Sequence, residues 1–155
     1  MSEPTGRSQR NHDLLRWTVA VLAVVIATTI MWSDGAVDAW RALVKLALTW
    51  NAEATSTVMG VRRWGDADLH ILLWSTVTLV VLWATRTRSQ AIGALLALLG
   101  WSAFTELAQP WFAEQRTRQG LDFAGNAIGI LLAAAAFWVF TRIRQRRVPV
   151  ASIRA

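Results

Sequence analysis

Long apolar segments separated by short polar stretches dominate the chain. Four of them lie at residues 17–32, 69–84, 91–109 and 121–140. Each approaches the roughly 20 residues that a helix needs to cross about 30 Å of hydrocarbon. The pattern therefore predicts an all-α polytopic membrane protein, with four transmembrane helices within residues 14–141.

Polar segments flank this domain. Residues 1–13 show no apolar periodicity, which predicts a disordered arm, and residues 142–155 form a basic tail. We expect the third span to stop at Pro110, because proline has no N–H for a helix hydrogen bond. A signal peptide competes with the first span, since residues 37–39 could be cleaved, but the sixteen-residue apolar stretch is longer than usual for that role.

Residues 37–50 are amphipathic rather than uniformly apolar. Trp40 and Val44 recur at helical spacing on one face, whereas Asp38 and Arg41 lie on the other. This pattern predicts a short helix between the first and second spans. It either lies in the membrane interface or packs on the bundle as a lid, and the sequence favours neither.

The composition supports a membrane protein and limits the available chemistry. Of the 155 residues, 54% are hydrophobic and 17% are charged. Cysteine is absent, which excludes disulfides and thiolate chemistry. No cofactor motif is present, and a zinc site is not expected with one histidine in the spans. Binding of another divalent cation to carboxylates stays open.

The net charge of +6 comes from fifteen arginines and Lys45 against ten acidic residues. Because the arginines flank apolar spans, we expect membrane lipids rather than nucleic acid as partners. Assigning both termini and residues 86–88 to one side gives that side ten arginines and two acidic residues, against six basic and eight acidic residues opposite. The positive-inside rule then predicts a multi-pass protein of the bacterial cytoplasmic membrane, N-in and C-in.

Three polar pairs lie near span ends that this topology brings to the outer leaflet: Asp66 with His70, Glu106 with Gln109, and Asp122 with Asn126. Members of each pair are one helical turn apart and share a helix face. Lipid offers polar side chains no partners, so these faces should point into the bundle. We therefore predict that the three pairs meet at one depth and form one site.

Each of these residues also has a purely structural interpretation. Asp66 and Asp122 could cap helix starts, and His70 and Asn126 could simply bond across helices. Glu106 is harder to explain, because a carboxylate near hydrocarbon and a helix C-terminus needs a cationic partner. The sequence offers Arg116 as a bidentate donor, with His70 as another candidate. A structural bridge and a functional pair both remain open.

Gly125 and Gly129 form a GxxxG pair in the fourth span, and Ala133 continues the stripe. Small residues at this spacing let two membrane helices approach closely. Because the stripe adjoins Asn126, we expect it to pack within one molecule rather than in a dimer.

An ordered set of residues across about 60–140 resembles the VanZ-like family of small bacterial membrane proteins: Asp66, His70, Trp74, Glu106, Gln109, Arg116, Asp122, Asn126 and Gly129. Ala67 stands where that family has Lys, and Trp74 where it has Tyr. The resemblance implies a cell-envelope protein, in a family whose named member is associated with reduced susceptibility to the antibiotic teicoplanin. It supplies no reaction mechanism.

Two functions fit these residues. The first is recognition of an envelope lipid or amphiphilic glycopeptide through residues that would contact it, Asp66, Gln109, Arg116 and Asn126. The second is a membrane hydrolase or transferase acting on a lipid-linked envelope substrate, with His70 as general base and Glu106 or Asp122 orienting it. Whether the protein is an enzyme stays open. Transport ranks last, because the polar residues do not continue to the inner side.

Overall fold

The computed structural model describes residues 6–49, 51, 53, 56–58, 67–112 and 120–146. Among these residues, helices with defined bounds are α1 (Gly6–Met31), α2 (Asp34–Ala47), α3 (Ala67–Ala84), α4 (Arg88–Phe112) and α5 (Gly120–Arg146). The described residues contain no strand. Helices α1, α3, α4 and α5 are long and apolar enough to cross a membrane. The predicted fold class, four spans with a short helix between the first two, is confirmed.

Helix α1 begins earlier than predicted, because residues 6–13 are helical rather than a disordered arm. An apolar helix already formed downstream can extend by added turns without a new nucleation cost. Asp13 also accepts a hydrogen bond from Nε of Arg86 at 2.9 Å. This exposed pair contributes about 0–1 kcal/mol. Residues 1–5 lie outside the described part of the chain.

The prediction that the third span stops at Pro110 is wrong. Helix α4 continues through this proline to Phe112. Proline in a last turn removes one helix hydrogen bond, here the bond to the carbonyl of Glu106, and the turn survives this loss. The Phe112 ring stacks on Trp32, with centroids 4.2 Å apart. Glu106 therefore lies farther from the helix end than predicted, and the helix dipole opposes its charge less.

The turn between α3 and α4 is held by a capping box. Oε1 of Gln90 accepts from the backbone N–H of Thr87 at 3.2 Å, and Oγ1 of Thr87 accepts from the Gln90 N–H at 3.2 Å. Since Asp13 binds Arg86 in this turn, the start of α1 lies at the same end of the bundle. Helix α5 also ends there, and residues 142–146 of the predicted tail form its last turn. Residues 147–155 are outside the described part.

Helix α3 is central to the bundle and makes its most extensive contact with α5. A Cβ built on Gly125 would lie 2.8 Å from the Ala67 carbonyl oxygen, and one built on Gly129 would lie 2.6 Å from that of Ile71. The two backbones therefore touch at both glycines. Oγ of Ser75 also donates to the Gly129 carbonyl at 3.0 Å. The glycine stripe packs within one molecule, in line with the interpretation favoured from the sequence.

Apolar side chains fill the interior and also cover the outside of the bundle. Trp74 and Ile130 are fully buried in the main core cluster. In contrast, Leu131 and Leu132 are 61% and 58% exposed. Such a surface is unfavourable in water but is the expected contact with acyl chains.

Helix α2 begins after the N-cap residue Ser33 and packs on the bundle along one edge. Nε1 of Trp40 donates to Oδ2 of Asp68 at 3.2 Å, and the ring packs against the cluster around Met31. Leu43 and Leu46 remain exposed. One edge of the helix is therefore docked on the bundle, and contact of its exposed leucines with the membrane interface stays a prediction.

Candidate functional site

Four polar side chains from three helices meet at the end of the bundle opposite the α3–α4 turn. His70 lies near the start of α3, Asp122 and Asn126 near the start of α5, and Glu106 near the end of α4. Their exposed fractions are 0% for His70 and Asn126, 3% for Asp122 and 6% for Glu106. The structure thus joins one or both members of each predicted pair at one level.

Asn126 links the histidine to the glutamate. Nδ1 of His70 lies 2.7 Å from Oδ1 of Asn126. A carbonyl oxygen can only accept, so Nδ1 carries the hydrogen of this bond. Nδ2 of Asn126 donates to Oε1 of Glu106 at 2.9 Å, and the same oxygen lies 3.1 Å from Nδ1 of His70. The three side chains form a closed triangle that fixes the imidazole orientation.

Asp122 lies on the other side of the imidazole. Its Oδ2 is 3.7 Å from Nε2 of His70, within ion-pair range but too far for a hydrogen bond. The carboxylate is in the first turn of α5, where the positive end of the helix dipole stabilises it. His70 therefore stands between two carboxyl groups, with Nδ1 anchored and Nε2 facing Asp122.

The glycines of α5 make room for this arrangement. A Cβ built on Gly125 would lie 3.1 Å from Cβ of His70, inside ordinary van der Waals separation. Only an α5 surface without side chains at Gly125 and Gly129 lets α3 come this close. Helix packing and site geometry therefore depend on the same two residues.

Within the described ranges, Oε2 of Glu106 and Nε2 of His70 are buried and have no hydrogen-bond partner. Nε1 of Trp74, one turn farther along α3, is also buried and has no hydrogen-bond partner among the described residues. An unsatisfied buried polar group costs about 1–3 kcal/mol. Native proteins keep few such groups, and those at a polar site are candidates for ligand contacts.

Of the cationic partners that the sequence offers for Glu106, the described residues include His70, whose Nδ1 lies 3.1 Å from Oε1 of Glu106, whereas the pairing with Arg116 stays a prediction. Arg116 lies outside the described residues, as does Asp66. Within the described part, the Glu106 carboxylate is held by Asn126 and His70. The amide of Asn126 can bridge Glu106 and His70 because it is both a donor and an acceptor. The sequence shows that this amide lies in the fourth span, but it does not show which side chains the amide bonds.

Gln109 shares the helix face of Glu106, but its amide takes part in a different contact. Nε2 of Gln109 donates to the carbonyl of Met31 at 3.2 Å, tying α4 to the end of α1. Trp32 reinforces this junction, donating from Nε1 to the Thr105 carbonyl at 3.2 Å. Sequence reasoning did not identify this anchor, because nothing in the spacing shows where α1 ends relative to α4.

The site can accept hydrogen bonds and hold or move a proton at Nε2 of His70. Among the described residues, no three His, Asp or Glu side chains are grouped so that they could hold a metal ion. Compared with known proteins, the chain matches no family model, no curated protein and no solved structure.

Proposed function

We propose that this chain is a VanZ-like protein of the bacterial cytoplasmic membrane, N-in and C-in, that recognises an envelope component in its outer leaflet. The ligand is an envelope lipid or an amphiphilic glycopeptide. Its recognition lowers susceptibility to teicoplanin-type glycopeptides. The ordered polar residues support the family, and the distribution of arginines supports the orientation.

The observation that carries this proposal is that two buried atoms, Oε2 of Glu106 and Nε2 of His70, have no hydrogen-bond partner among the residues that the structure describes. A carboxylate oxygen needs a donor, so the matching ligand group is a hydroxyl or an amide N–H. Sugar head groups and glycopeptides carry many such groups. Asn126 and Asp122 then position the two contact residues. Asp66 and Arg116, which lie outside the described residues, are proposed as further ligand-binding residues on the sequence alone.

The first test is Glu106→Gln. The new amide keeps an oxygen for the Asn126 donor and removes the carboxylate charge. Hydrogen bonds to charged groups contribute about 1.5–3 kcal/mol, so we expect retention of a fluorescent teicoplanin-type glycopeptide to fall about tenfold or more. Binding is measured on purified protein in lipid nanodiscs. Glycopeptide susceptibility of expressing cells should return towards that of cells with an empty vector.

Asp38→Asn on α2 is the matched control, because it removes one exposed carboxylate. This variant should bind and protect like the parent protein. Membrane levels of all variants are compared by immunoblot. The proposal is wrong if the parent protein neither retains the glycopeptide or a lipid-linked precursor nor alters susceptibility, or if Glu106→Gln is folded and fully active.

A hydrolase or transferase acting on a lipid-linked envelope substrate is the second candidate, and the histidine geometry favours it. Nδ1 of His70 is anchored by Asn126 and Glu106, which leaves Nε2 as the atom that could accept a proton. Such a base would take the proton of a water molecule or acceptor hydroxyl attacking an ester or phosphoester. A carboxylate behind the imidazole orients the ring for this role.

Incubating the purified protein with a head-group-labelled lipid-linked precursor, with and without Mg²⁺, separates the two candidates. General-base catalysis contributes about 10²–10⁴-fold, so an enzyme should lose at least about a hundredfold in rate on His70→Gln. Binding without product release supports the recognition role alone. No product from the parent protein under either condition rules out this reaction.

A further inference from the structure

A groove of about 650 Å³ opens at the end of the bundle opposite His70. We call it the basic groove, and it lies between the α3–α4 turn, the start of α4 and the last turns of α5. Three arginines line it: Arg86, Arg88 and Arg142. Its volume is typical of sites that bury a small molecule or a lipid head group.

The groove changes from polar to apolar along its length. Arg142 and Gln145 lie near the end of α5, whereas Ala135 and Trp138 line the part closer to the middle of the bundle. Arg142 and Ala135 are two turns apart, about 10 Å along the helix axis. A charged mouth followed by an apolar wall is suited to an amphiphile rather than to a free ion.

All of the described charged side chains that line the groove are basic. No acidic side chain lines it among the described residues. Arg86 is engaged by Asp13, but within the described ranges no ion pair involves Arg88 or Arg142. The planar guanidinium group matches two phosphate oxygens at once. Basic pockets between transmembrane helices at a membrane surface are suited to anionic lipid head groups.

We propose that the basic groove binds an anionic glycerophospholipid, whose phosphodiester lies between Arg88 and Arg142 and whose acyl chain packs along Ala135 and Trp138. Residues 147–155 of the same chain are an unsuitable occupant, because they bring two more arginines and no acidic side chain to a basic surface. A second copy presenting this same surface would meet equal charge. Anionic lipid is complementary in both charge and polarity.

The test is native mass spectrometry of the full-length protein purified in detergent with equal amounts of phosphatidylglycerol and phosphatidylcholine. The parent protein should retain phosphatidylglycerol preferentially. Each arginine near an anionic surface contributes a factor of roughly five, so Arg88→Gln with Arg142→Gln should weaken retention roughly 25-fold. Arg10→Gln with Arg144→Gln is the matched control, because both side chains are exposed and do not line the groove.

Ala135→Phe provides a test without a charge change, since Ala135 is exposed and its enlargement fills the apolar wall. It should also reduce phosphatidylglycerol retention while leaving the fold intact. Three results would each overturn the proposal. The control pair could lose as much phosphatidylglycerol as the groove pair, glycerol phosphate alone could displace the lipid, or the parent protein could show no preference for phosphatidylglycerol over phosphatidylcholine. Glycopeptide retention of the Arg88→Gln with Arg142→Gln variant is measured in parallel, which separates loss of lipid at the basic groove from loss of the site around His70.

Discussion

Asn126→Asp is expected to destabilise the folded protein by about 3 kcal/mol or more, although the side chain keeps its size and shape. The change removes the Nδ2 donor and sets a carboxylate oxygen against Oε1 of Glu106, at the site of a 2.9 Å hydrogen bond. Both groups are buried, so water cannot screen their repulsion. The free energy of unfolding is measured by titrating the detergent-purified protein with SDS.

A second substitution should reverse the effect. In the double variant Asn126→Asp with Glu106→Gln, the new glutamine amide can donate to the new aspartate, so the hydrogen bond is restored with its direction exchanged. We expect most of the lost stability to return. Asn11→Asp is the matched control on the exposed face of α1, where the same chemical change should cost less than about 0.5 kcal/mol. A double variant no more stable than the single one would contradict the bridging role of Asn126.

The meeting of His70, Glu106 and Asn126 was predictable because it depends on few physical rules. Apolar length fixes the spans, and short connections make neighbouring spans antiparallel. Spacing of three or four residues then sets the polar side chains on one face of each helix. Buried polar groups need hydrogen-bond partners, so helices whose polar faces lie at the same level are expected to pack with those faces together.

The partners of Gln109 and Trp32 were not predictable in this way. Gln109 lies one turn beyond Glu106, so periodicity assigns both to the same site. The side chain instead bonds the Met31 carbonyl, because α1 ends beside α4 at that level. That position depends on how the apolar surfaces of α1 and α3 fit together. Apolar contacts are not directional, so the sequence does not show at which level one helix packs against the other.

The predicted boundaries of α1 and α4 were wrong for a related reason. Local rules treat Pro110 as a stop and residues 6–13 as too polar to order. In the folded protein, stacking of Phe112 on Trp32 accompanies the extra turn of α4, and an established apolar helix extends into the polar segment of α1. Tertiary contacts and helix cooperativity outweigh the local preference in both cases.

Gly129→Ala is expected to destabilise the bundle by about 2–4 kcal/mol, combining overpacking of about 1–3 kcal/mol with loss of a hydrogen bond contributing about 1 kcal/mol. The added Cβ would lie 2.6 Å from the Ile71 carbonyl oxygen, where relief requires two helix backbones to separate. Their separation would also lengthen the 3.0 Å bond from Ser75 to the Gly129 carbonyl. SDS titration again measures the change.

Gly93→Ala is the matched control, because a Cβ built on Gly93 would meet no atom of another described helix within 4 Å. There the alanine removes the intrinsic helix penalty of glycine, so stability should stay equal or rise by up to about 1 kcal/mol. The same chemical change thus has opposite expected signs at two positions of the bundle. If Gly129→Ala is as stable as Gly93→Ala, close contact between α3 and α5 does not hold the site together. If it alters only the monomer–dimer equilibrium, the glycine stripe acts between molecules instead.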